Sequence, residues 1–388
     1  MRFLFYLAFF GGGILALTFG HLYIWRRLVR DTGMRGWSRR ALTIGLVFLA
    51  VWLPASLGLA KRVDPEWMRW GSLLGVLWMG VALYLILFLV GMDILRYIRT
   101  RWRRARKEVS LDTQRRAFMA NVVAGSALVG AGAVTGIAVH QSGEILKPQI
   151  PVKLEKLPPA LSGLKIVQIS DLHIGPVLDD HFLKTIVAEV NAMKPDLVAI
   201  TGDLVDAPVT LIGHLLRPLS TLQSRYGTYF VTGNHEYYSD AQGWIPFLES
   251  LGVRVLTNEC VSIGDEAKID LVGIPDTRAH IFLPEHRSDL TSALVGRDPE
   301  RALVLLAHRP NDVVEATRLG VNLQLSGHTH GGQFWPVVPL VGLVHKYSAG
   351  LHSHSEQTQI YVSRGTGYWG PPMRLGAPAE ITTIHLTA

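Results

Sequence analysis

Long apolar windows without charged residues occupy the first third of the chain. Three lie at residues 3–25, 41–60 and 71–92, and a fourth, residues 117–143, is rich in Gly, Ala and Ser. Because a helix needs about 20 apolar residues to cross about 30 Å of hydrocarbon, each window is long enough to span a bilayer. We therefore predict three transmembrane helices and a fourth at residues 117–143, for which a soluble helix of small residues is the alternative.

After residue 164 the pattern changes to short apolar runs that each end in polar residues. The runs lie at residues 165–170, 196–201, 228–232, 269–273, 302–307 and 322–326, and residues 182–193 have helical spacing. Strands that alternate with helices are typical of an α/β domain with an at least partly parallel sheet. The Pro-bearing stretch before them predicts a linker with one edge strand. The predicted division is a membrane region at 1–143, a linker at 144–164 and a globular domain at 165–388.

Charge divides the chain in a similar way. The net charge is +7, but residues 1–116 hold 19 Lys and Arg against 6 acidic residues, a balance of +13, which leaves −6 for the rest. A basic membrane part joined to a mildly acidic domain explains the net charge, so nucleic acid is not expected as a partner. Composition also excludes a disulfide scaffold, because Cys260 is the only cysteine.

Basic residues in the short loops predict the orientation, since cytoplasmic loops carry the excess of Arg and Lys. Residues 26–40 hold six Arg and residues 93–116 hold nine Arg and Lys, whereas residues 61–70 hold three beside two acids. Alternation then puts everything after the fourth window outside the cytoplasm, in a multi-pass protein of the cytoplasmic (inner) membrane. If the fourth window does not span, the globular domain is cytoplasmic. Residues 113–119 (TQRRAFM) also resemble a twin-arginine export signal, although any inside-flanking segment here would carry Arg pairs.

Polar side chains follow five of the predicted strands, and a glycine precedes several of them. In α/β sheets, ligands gather at the carboxyl ends of strands, where glycine lets the backbone turn sharply. Imidazole, carboxylate and amide oxygen together are ligands of Zn, Mn or Fe, so the pattern predicts a metal site at one sheet edge. The residues are Asp171, His173, Asp203, Asn234, His235, Glu236, His308, His328 and His330.

The order of these residues resembles the signature of the calcineurin-like metallophosphoesterase superfamily, D-x-H, G-D, G-N-H-[DE], a solitary H and G-H-x-H. The resemblance runs from residue 165 to the C-terminus, and the closing stretch at 363–382 looks like the membrane-linked bacterial branch. It implies a four-layer α/β/β/α sandwich that holds two divalent metal ions, with Mn, Zn and Fe as the candidates. The implied ligands are Asp171, His173 and His330 for the first metal and Asn234, His308 and His328 for the second, with Asp203 bridging both.

The resemblance also implies the chemistry. Two cations can polarise a phosphoryl group and lower the pKa of an attacking water, and His235 would protonate the leaving oxygen or bind phosphate. Asp206 and Glu236 are candidates to orient the ligand imidazoles, with solvated loop carboxylates as the alternative. Two branches are disfavoured, because Ala207 replaces the Arg of the protein Ser/Thr phosphatases and Asp206 the Tyr of the purple acid phosphatases.

The expected function is therefore metal-dependent hydrolysis of a phosphoester, with a phosphodiester favoured, by a domain tethered to the membrane. The apolar stretch 331–344 would help present a lipid head-group phosphodiester if exposed, and would be core if buried. The alternatives are a transporter accessory protein and a metal-binding sensor without turnover. The three clear windows contain no charge, which disfavours a transport pathway. The other histidines match no motif, and among them His352 and His354 are candidates to line the cleft.

Overall fold

The computed structural model describes the backbone of residues 2–105 and 113–388 and the side chains of residues 11–102 and 117–388. Arg106 and Lys107, which contribute to the predicted orientation, lie outside the described residues. The side chains of Arg115 and Arg116 also lie outside them, so the twin-arginine signal stays a prediction.

Long helices form the N-terminal region. They are α1 (Arg2–Trp25), α2 (Gly36–Leu59), α3 (Pro65–Ala105) and α4 (Thr113–Ser142), with a π-helical turn at Arg26–Arg30. Within the described residues, three stretches are long and apolar enough to cross a membrane: Gly36–Leu59, Pro65–Trp102 and Ala117–Ser142. They correspond to the second, third and fourth predicted windows. The first window lies in α1, where the side chains of residues 2–10 are outside the described part, so its membrane character stays a prediction.

The rest of the chain is an α/β domain. Its strands are β1 (Ile145–Leu146), β2 (Gln149–Lys153), β3 (Lys165–Ile169), β4 (Leu197–Ile200), β5 (Thr228–Phe230), β6 (Val253–Val255), β7 (Glu259–Ile263), β8 (Ile269–Gly273), β9 (Leu303–Leu306), β10 (Leu323–Ser326), β11 (Gly350–Ser353), β12 (Gln359–Val362), β13 (Ala379–Glu380) and β14 (Thr382–Thr387). The helices are α5 (Asp180–Ala192), α6 (Val209–Ile212), α7 (Asn234–Ser239), α8 (Ala241–Ser250), α9 (Leu290–Ala293), α10 (Val313–Arg318) and α11 (Val337–Val344). Short 3-10 segments connect several of them, the longest at Gly213–Thr221.

Two six-stranded sheets organise the domain. The first has the order β2-β14-β3-β4-β5-β6 and the second has the order β11-β12-β10-β9-β8-β7, while β1 and β13 form a separate pair. Strands β3 to β6 run parallel, and β14 is antiparallel to β3. Strands β8, β9, β10 and β12 run parallel, with β7 and β11 antiparallel at the edges. The predicted partly parallel α/β fold is confirmed, and the stretch predicted as a linker contributes β1 and the edge strand β2.

Alternation of side chains along each strand produces the layers. In β3, Ile166 packs into the core between the two sheets, whereas Val167 packs with Ile186 of α5 on the outer face. In β9, Val304 faces the same inner core, whereas Leu303 packs outward in a third core. Helices therefore cover the outer face of each sheet, and the predicted four-layer α/β/β/α sandwich is confirmed.

Backbone contacts group the chain into two compact units. One comprises Met1–Leu59, Trp70–Val139 and Gly370–Pro372, and the other comprises Ala60–Arg69, His140–Trp369 and Met373–Ala388. The short segment Ala60–Arg69, which follows α2 and includes the first residues of α3, thus groups with the α/β domain.

Candidate active site

The seven predicted metal ligands lie after five strands that belong to two sheets. Strands β3, β4 and β5 of the first sheet precede Asp171 and His173, Asp203, and Asn234, respectively. Strands β9 and β10 of the second sheet precede His308 and the pair His328 and His330. The prediction of a single sheet edge was therefore wrong in this respect: the site forms where the carboxyl ends of two packed sheets meet.

Most of these residues have a left-handed backbone conformation. The φ angles of Asp171, His173, Asp203, His328 and His330 lie between 49° and 71°. Non-glycine residues rarely adopt this region, and where they do the surrounding structure must hold them there. The clustering of such residues at one place is typical of a functional site.

Three side chains form a first cluster, defined by Asp171, His173 and His330. The Nε2 atoms of His173 and His330 are 3.1 Å apart, and Nε2 of His330 is 3.5 Å from Oδ1 of Asp171. Ligand atoms of all three lie within 4.8 Å of one another. Burial lowers the pKa of His330, and the neighbouring His173 lowers it further. Neutral imidazole is the form that binds a metal ion.

A second cluster is defined by Asp203, His308 and His328. Nε2 of His308 lies 3.2 Å from Oδ2 of Asp203 and 3.1 Å from Nδ1 of His328. Despite its burial, the Asp203 carboxyl has a pKa well below its ordinary value, because His308 and His235 stabilise its charge. The same pairing raises the pKa of His308 to about 10, against the effect of burial.

Hydrogen bonds on the outer side of two imidazoles fit metal binding. Nδ1 of His308 lies 2.8 Å from the carbonyl oxygen of Thr201, and Nδ1 of His173 lies 3.0 Å from Oδ1 of Asp206. A carbonyl or carboxylate oxygen only accepts, so Nδ1 carries the proton in each ring. Nε2 is therefore the ring atom that would bind a metal ion, in His308 once it loses the second proton that Asp203 stabilises. The donor set therefore fits divalent cations.

His235 lies beside both clusters. Its backbone N–H donates to Oδ1 of Asp203 over 2.8 Å, and its Nδ1 is 2.6 Å from Oδ1 of Asp206. Burial lowers the pKa of His235, but the carboxylates of Asp203 and Asp206 outweigh this effect and raise the pKa to about 9. The exposed aromatic rings of Tyr238 and Trp369 lie 5.3 and 6.0 Å from the imidazole, so His235 is at the rim of the site.

Asp206 and Glu236 have different roles. Asp206 bonds two imidazoles, as predicted, whereas the fully buried Glu236 bonds none in the described part of the chain. Instead, Oε2 of Glu236 accepts from the backbone N–H groups of Asp203 and Gly233, and Oε1 accepts from those of Leu204 and Val205. The prediction for Glu236 was wrong, because its carboxylate fixes the two strand-end loops rather than an imidazole.

The glycines before the predicted ligands serve two purposes. Gly202 has a φ of 90°, which fits the predicted sharp turn. Gly233 and Gly327 instead provide space, since a Cβ atom on Gly233 would lie 2.2 Å from Oδ1 of Asp203 and one on Gly327 would lie 2.3 Å from Oδ2 of Asp171.

Two arginines at the site carry no motif and were not predicted. Arg309 is paired with the buried Asp276 over 2.6 Å, and its Nη2 donates to Oδ1 of Asn234 over 3.1 Å. Arg374 is fully buried and donates to several backbone carbonyls, including those of His330 at 3.1 Å and Arg364 at 2.7 Å. Arg309 thus orients Asn234, and Arg374 fixes the backbone of His330.

Of three further histidines, one lies close to the predicted metal ligands. The ring of His345 lies 5.8 Å from that of His328, so this residue is closer to the site than its lack of a motif suggested. His352 and His354, the candidates to line the cleft, both contact the ring of Tyr347.

The fold and site together define a hydrolase class: a four-layer sandwich with carboxylates and imidazoles gathered where its two sheets meet. Residues 164–332 match the family model described as calcineurin-like phosphoesterase. A transmembrane protein with metallophosphoesterase domain from Danio rerio is 36% identical over 390 residues, covering 95% of this chain and 87% of the relative. The chain therefore belongs to the calcineurin-like metallophosphoesterase family.

Relatives occur in bacteria as well as vertebrates. An uncharacterized metallophosphoesterase from Helicobacter pylori is 41% identical over 249 residues, which cover 62% of this chain and 65% of that protein. A crystal structure of a putative 5′-nucleotidase from Staphylococcus aureus aligns with a TM-score of 0.35 at 14% identity, covering 58% of this chain and 54% of its own.

Proposed function

We propose that the protein is a membrane-anchored phosphodiesterase whose site holds two divalent cations, Mn, Zn or Fe. The observation that carries the proposal is the convergence of two ligand clusters: Asp203 belongs to the second, and its backbone carbonyl accepts from the N–H of His173 in the first over 3.1 Å. The proposed ligands are Asp171, His173 and His330 for one cation and Asn234, His308 and His328 for the other, with Asp203 shared. When bound, such cations supply Lewis-acid polarisation of the phosphoryl oxygens.

His235 is the proposed general acid. Its Nδ1 is bonded to Asp206, so Nε2 is the atom that can give a proton to the leaving oxygen or hold a phosphoryl oxygen. The two neighbouring carboxylates, which raise its pKa to about 9, keep the ring protonated at neutral pH. Asp206 also bonds His173, and this shared partner holds both rings in a fixed relation.

Hydrolysis of bis(p-nitrophenyl) phosphate by the full-length protein in detergent tests the proposal. Activity should disappear after chelation and return with Mn or Zn. His235→Ala should lower hydrolysis of a diester with an alkoxide leaving group about 100-fold to 10,000-fold, since general acid catalysis contributes that much, whereas p-nitrophenolate leaves without needing a proton. His181→Ala, which alters an exposed histidine on α5, should retain the wild-type rate. Turnover that survives metal removal, or a His235→Ala rate equal to wild type on the diester with an alkoxide leaving group, would reject the proposed chemistry.

An exposed apolar helix beside the site supports a lipid-linked substrate. Helix α11 has no buried residue, and Leu340, Leu343 and Val344 are 54%, 82% and 76% exposed. Its first turn touches the loop of His330, because a Cβ atom on Gly332 would lie 2.5 Å from Cα of Val338. An apolar patch of this kind marks a membrane or ligand contact. We therefore extend the proposal to a phosphodiester in a lipid head group, presented to the site beside α11.

A comparison of a phospholipid with a soluble diester tests the lipid contact separately from the hydrolysis reaction. Changing Leu340 and Leu343 together to Ser should slow hydrolysis of a phospholipid in mixed micelles about 10-fold or more, because two leucine contacts with the lipid phase are lost. Hydrolysis of the soluble diester should be unchanged. Val295→Ser, an 81% exposed residue elsewhere, is the control. Equal losses on both substrates would reject the lipid contact.

The proposed location of the catalytic domain is the extracytoplasmic side of the inner membrane. It follows from the Arg-rich loops and from the span-like length and composition of α4. Contacts of the segment Ala60–Arg69 with the domain support it, because this segment is predicted to be on that side: Arg69 pairs with Asp179 over 2.9 Å.

A further inference from the structure

The segment Ala60–Arg69 is held on the α/β domain at two separate points. Nζ of Lys61 donates to the backbone carbonyl of Tyr238 over 3.1 Å, and Nη1 of Arg69 lies 2.9 Å from Oδ2 of Asp179. Both contacts lie within the compact unit that includes this segment. The segment therefore contributes side chains to the surface of the phosphoesterase domain, although it lies more than 100 residues before the first predicted ligand.

The contact made by Lys61 is on the His235 side of the site. Tyr238 belongs to α7, the short helix that also carries Asn234 and His235. Nζ of Lys61 is 6.0 Å from the centre of the Tyr238 ring, and that ring is 5.3 Å from the imidazole of His235. Tyr238 is 44% exposed, so the ammonium group lies at an open rim.

The ammonium group of Lys61 has capacity to bind an anion. An ammonium has three N–H donors, and the described residues show one hydrogen bond from it, to the neutral carbonyl of Tyr238. No carboxylate in the described part of the chain forms an ion pair with it within 4.0 Å. Burial lowers the pKa of Lys61, and the charge of Asp206 offsets this only in part; Oδ1 of Asp206 already bonds His173 and His235.

Charged side chains of both signs lie around the same ring. Burial raises the pKa of Tyr238, the charges of Arg309 and Arg278 lower it, and the carboxylates of Asp276 and Asp203 raise it. Arg309 is paired with Asp276, whereas the described hydrogen bond of Lys61 goes to a neutral carbonyl. The rim beside His235 thus offers a ligand the ammonium group of Lys61, for which the described residues show no ion pair.

We infer that Lys61 forms an anion-binding subsite beside His235, which accepts a carboxylate or a second phosphate on the leaving group of the phosphoester. The inference rests on the proposed function, because His235 as general acid defines which side the leaving group occupies. It assigns the substrate to phosphoesters with a second acidic group. The subsite lies on a segment that joins two predicted spans, so its ligand would be bound near the membrane surface.

A pair of chromogenic diesters tests the subsite in the full-length protein. One is p-nitrophenyl phenyl phosphate, and the other carries a carboxylate on the nitrophenyl leaving ring. Lys61→Met should lower kcat/KM for the carboxylated diester by about 10-fold to 100-fold, the range for a lost charge-assisted hydrogen bond. The uncarboxylated diester should change by less than about 3-fold, since its leaving ring carries no anion for the ammonium group to bind. Lys61→Arg, which keeps the charge, should retain the preference.

Arg69→Gln is the matched control, because it removes the other contact of the segment without touching the subsite. If Lys61 acted only by holding the segment on the domain, Arg69→Gln and Lys61→Met would both lower kcat/KM for the two diesters to the same extent. That result would reject the inference. Equilibrium binding of the free carboxylated nitrophenol separates this result from failure of the proposed function. Binding that depends on Lys61 without any turnover would reject only the hydrolase, whereas binding independent of Lys61 would reject the subsite.

Discussion

At the residue scale, Glu236 decides how the loops after β4 and β5 are held together. Its two oxygens accept four backbone N–H groups in a fully buried place. In Glu236→Gln, an amide NH₂ replaces one oxygen and leaves two of these donors without an acceptor. A buried unsatisfied donor costs about 1–3 kcal/mol, so we expect a loss of about 2–4 kcal/mol in the free energy of unfolding.

Urea unfolding at saturating metal measures this loss. Glu249→Gln, an exposed change at the end of α8, is the control and should stay within about 0.5 kcal/mol of wild type. A Glu236→Gln variant as stable as this control would contradict the role assigned to the carboxylate.

A second residue, Asp312, predicts a pH dependence. Burial and then the charge of Asp276 raise its pKa to about 7, and its Oδ2 has no hydrogen-bond partner among the described residues. Between about pH 4 and pH 7 the folded state therefore binds a proton that the unfolded state has released. Stability must fall as the pH rises through this window, because the folded state has the raised acid pKa.

Asp312→Asn removes this titration. From pH 5 to pH 8 the variant should gain about 1–2 kcal/mol relative to wild type, a figure reduced for partial exposure of the side chain. Chemical unfolding at fixed metal concentration at both pH values gives the comparison. Glu300→Gln, an exposed change before β9, should show no such trend, and a constant difference for Asp312→Asn would refute the assignment.

The motif residues could be predicted from the sequence because each follows a predicted strand within a few positions. The role of Arg374 could not be predicted, because the carbonyls that it bonds lie in separate turns that only the folded chain brings together. The partners of Glu236 were missed for a related reason: a carboxylate beside imidazoles was expected to bond a side chain, but backbone donors of two loops converge on it.

At the scale of elements, the glycine after β5 controls how closely two strand ends approach. A Cβ atom on Gly233 would lie 2.2 Å from Oδ1 and 2.5 Å from the backbone N of Asp203. Gly233→Ala must therefore displace Asp203, and we expect a stability loss of about 1–3 kcal/mol together with weaker metal binding.

Thermal unfolding and Mn titration of the same variant check both effects. Gly342→Ala in α11 is the control, since a Cβ atom there meets nothing within 4 Å. Unchanged Mn affinity in Gly233→Ala would show that Asp203 tolerates the added methyl group, and would disprove the spacing argument.

Strand positions were predictable because buried parallel strands appear as continuous apolar runs, and β8 lies at the predicted bounds of 269–273. The division of strands between two sheets was not readable from their order, since β9 and β10 follow the same strand-then-ligand pattern as β3 and β4. Strand β14 is antiparallel to β3, a pairing across more than 200 residues that no local pattern encodes.

At the scale of the whole molecule, the charge pattern and the contacts of Ala60–Arg69 lead to one testable orientation. If the domain and this segment are outside the cytoplasm, a cysteine in the exposed β11–β12 turn must react with an impermeant maleimide in intact spheroplasts. Cys260 is the only native cysteine, so Cys260→Ser with Gln357→Cys gives a single label site. Arg99→Cys, at the predicted cytoplasmic end of α3, should react only after the membrane is permeabilised.

The alternative topology, in which α4 does not cross the membrane, predicts a different result for Gln357→Cys. If α4 does not cross the membrane, the domain shares a side with Arg99, and Gln357→Cys would be protected in intact spheroplasts. That result would also contradict the contact between Lys61 and Tyr238, because the loop between α2 and α3 would then face the other side. Labelling of Gln357→Cys alone would restrict the substrate to phosphoesters that reach the outer surface, since the metal clusters and Lys61 would both be accessible only from there.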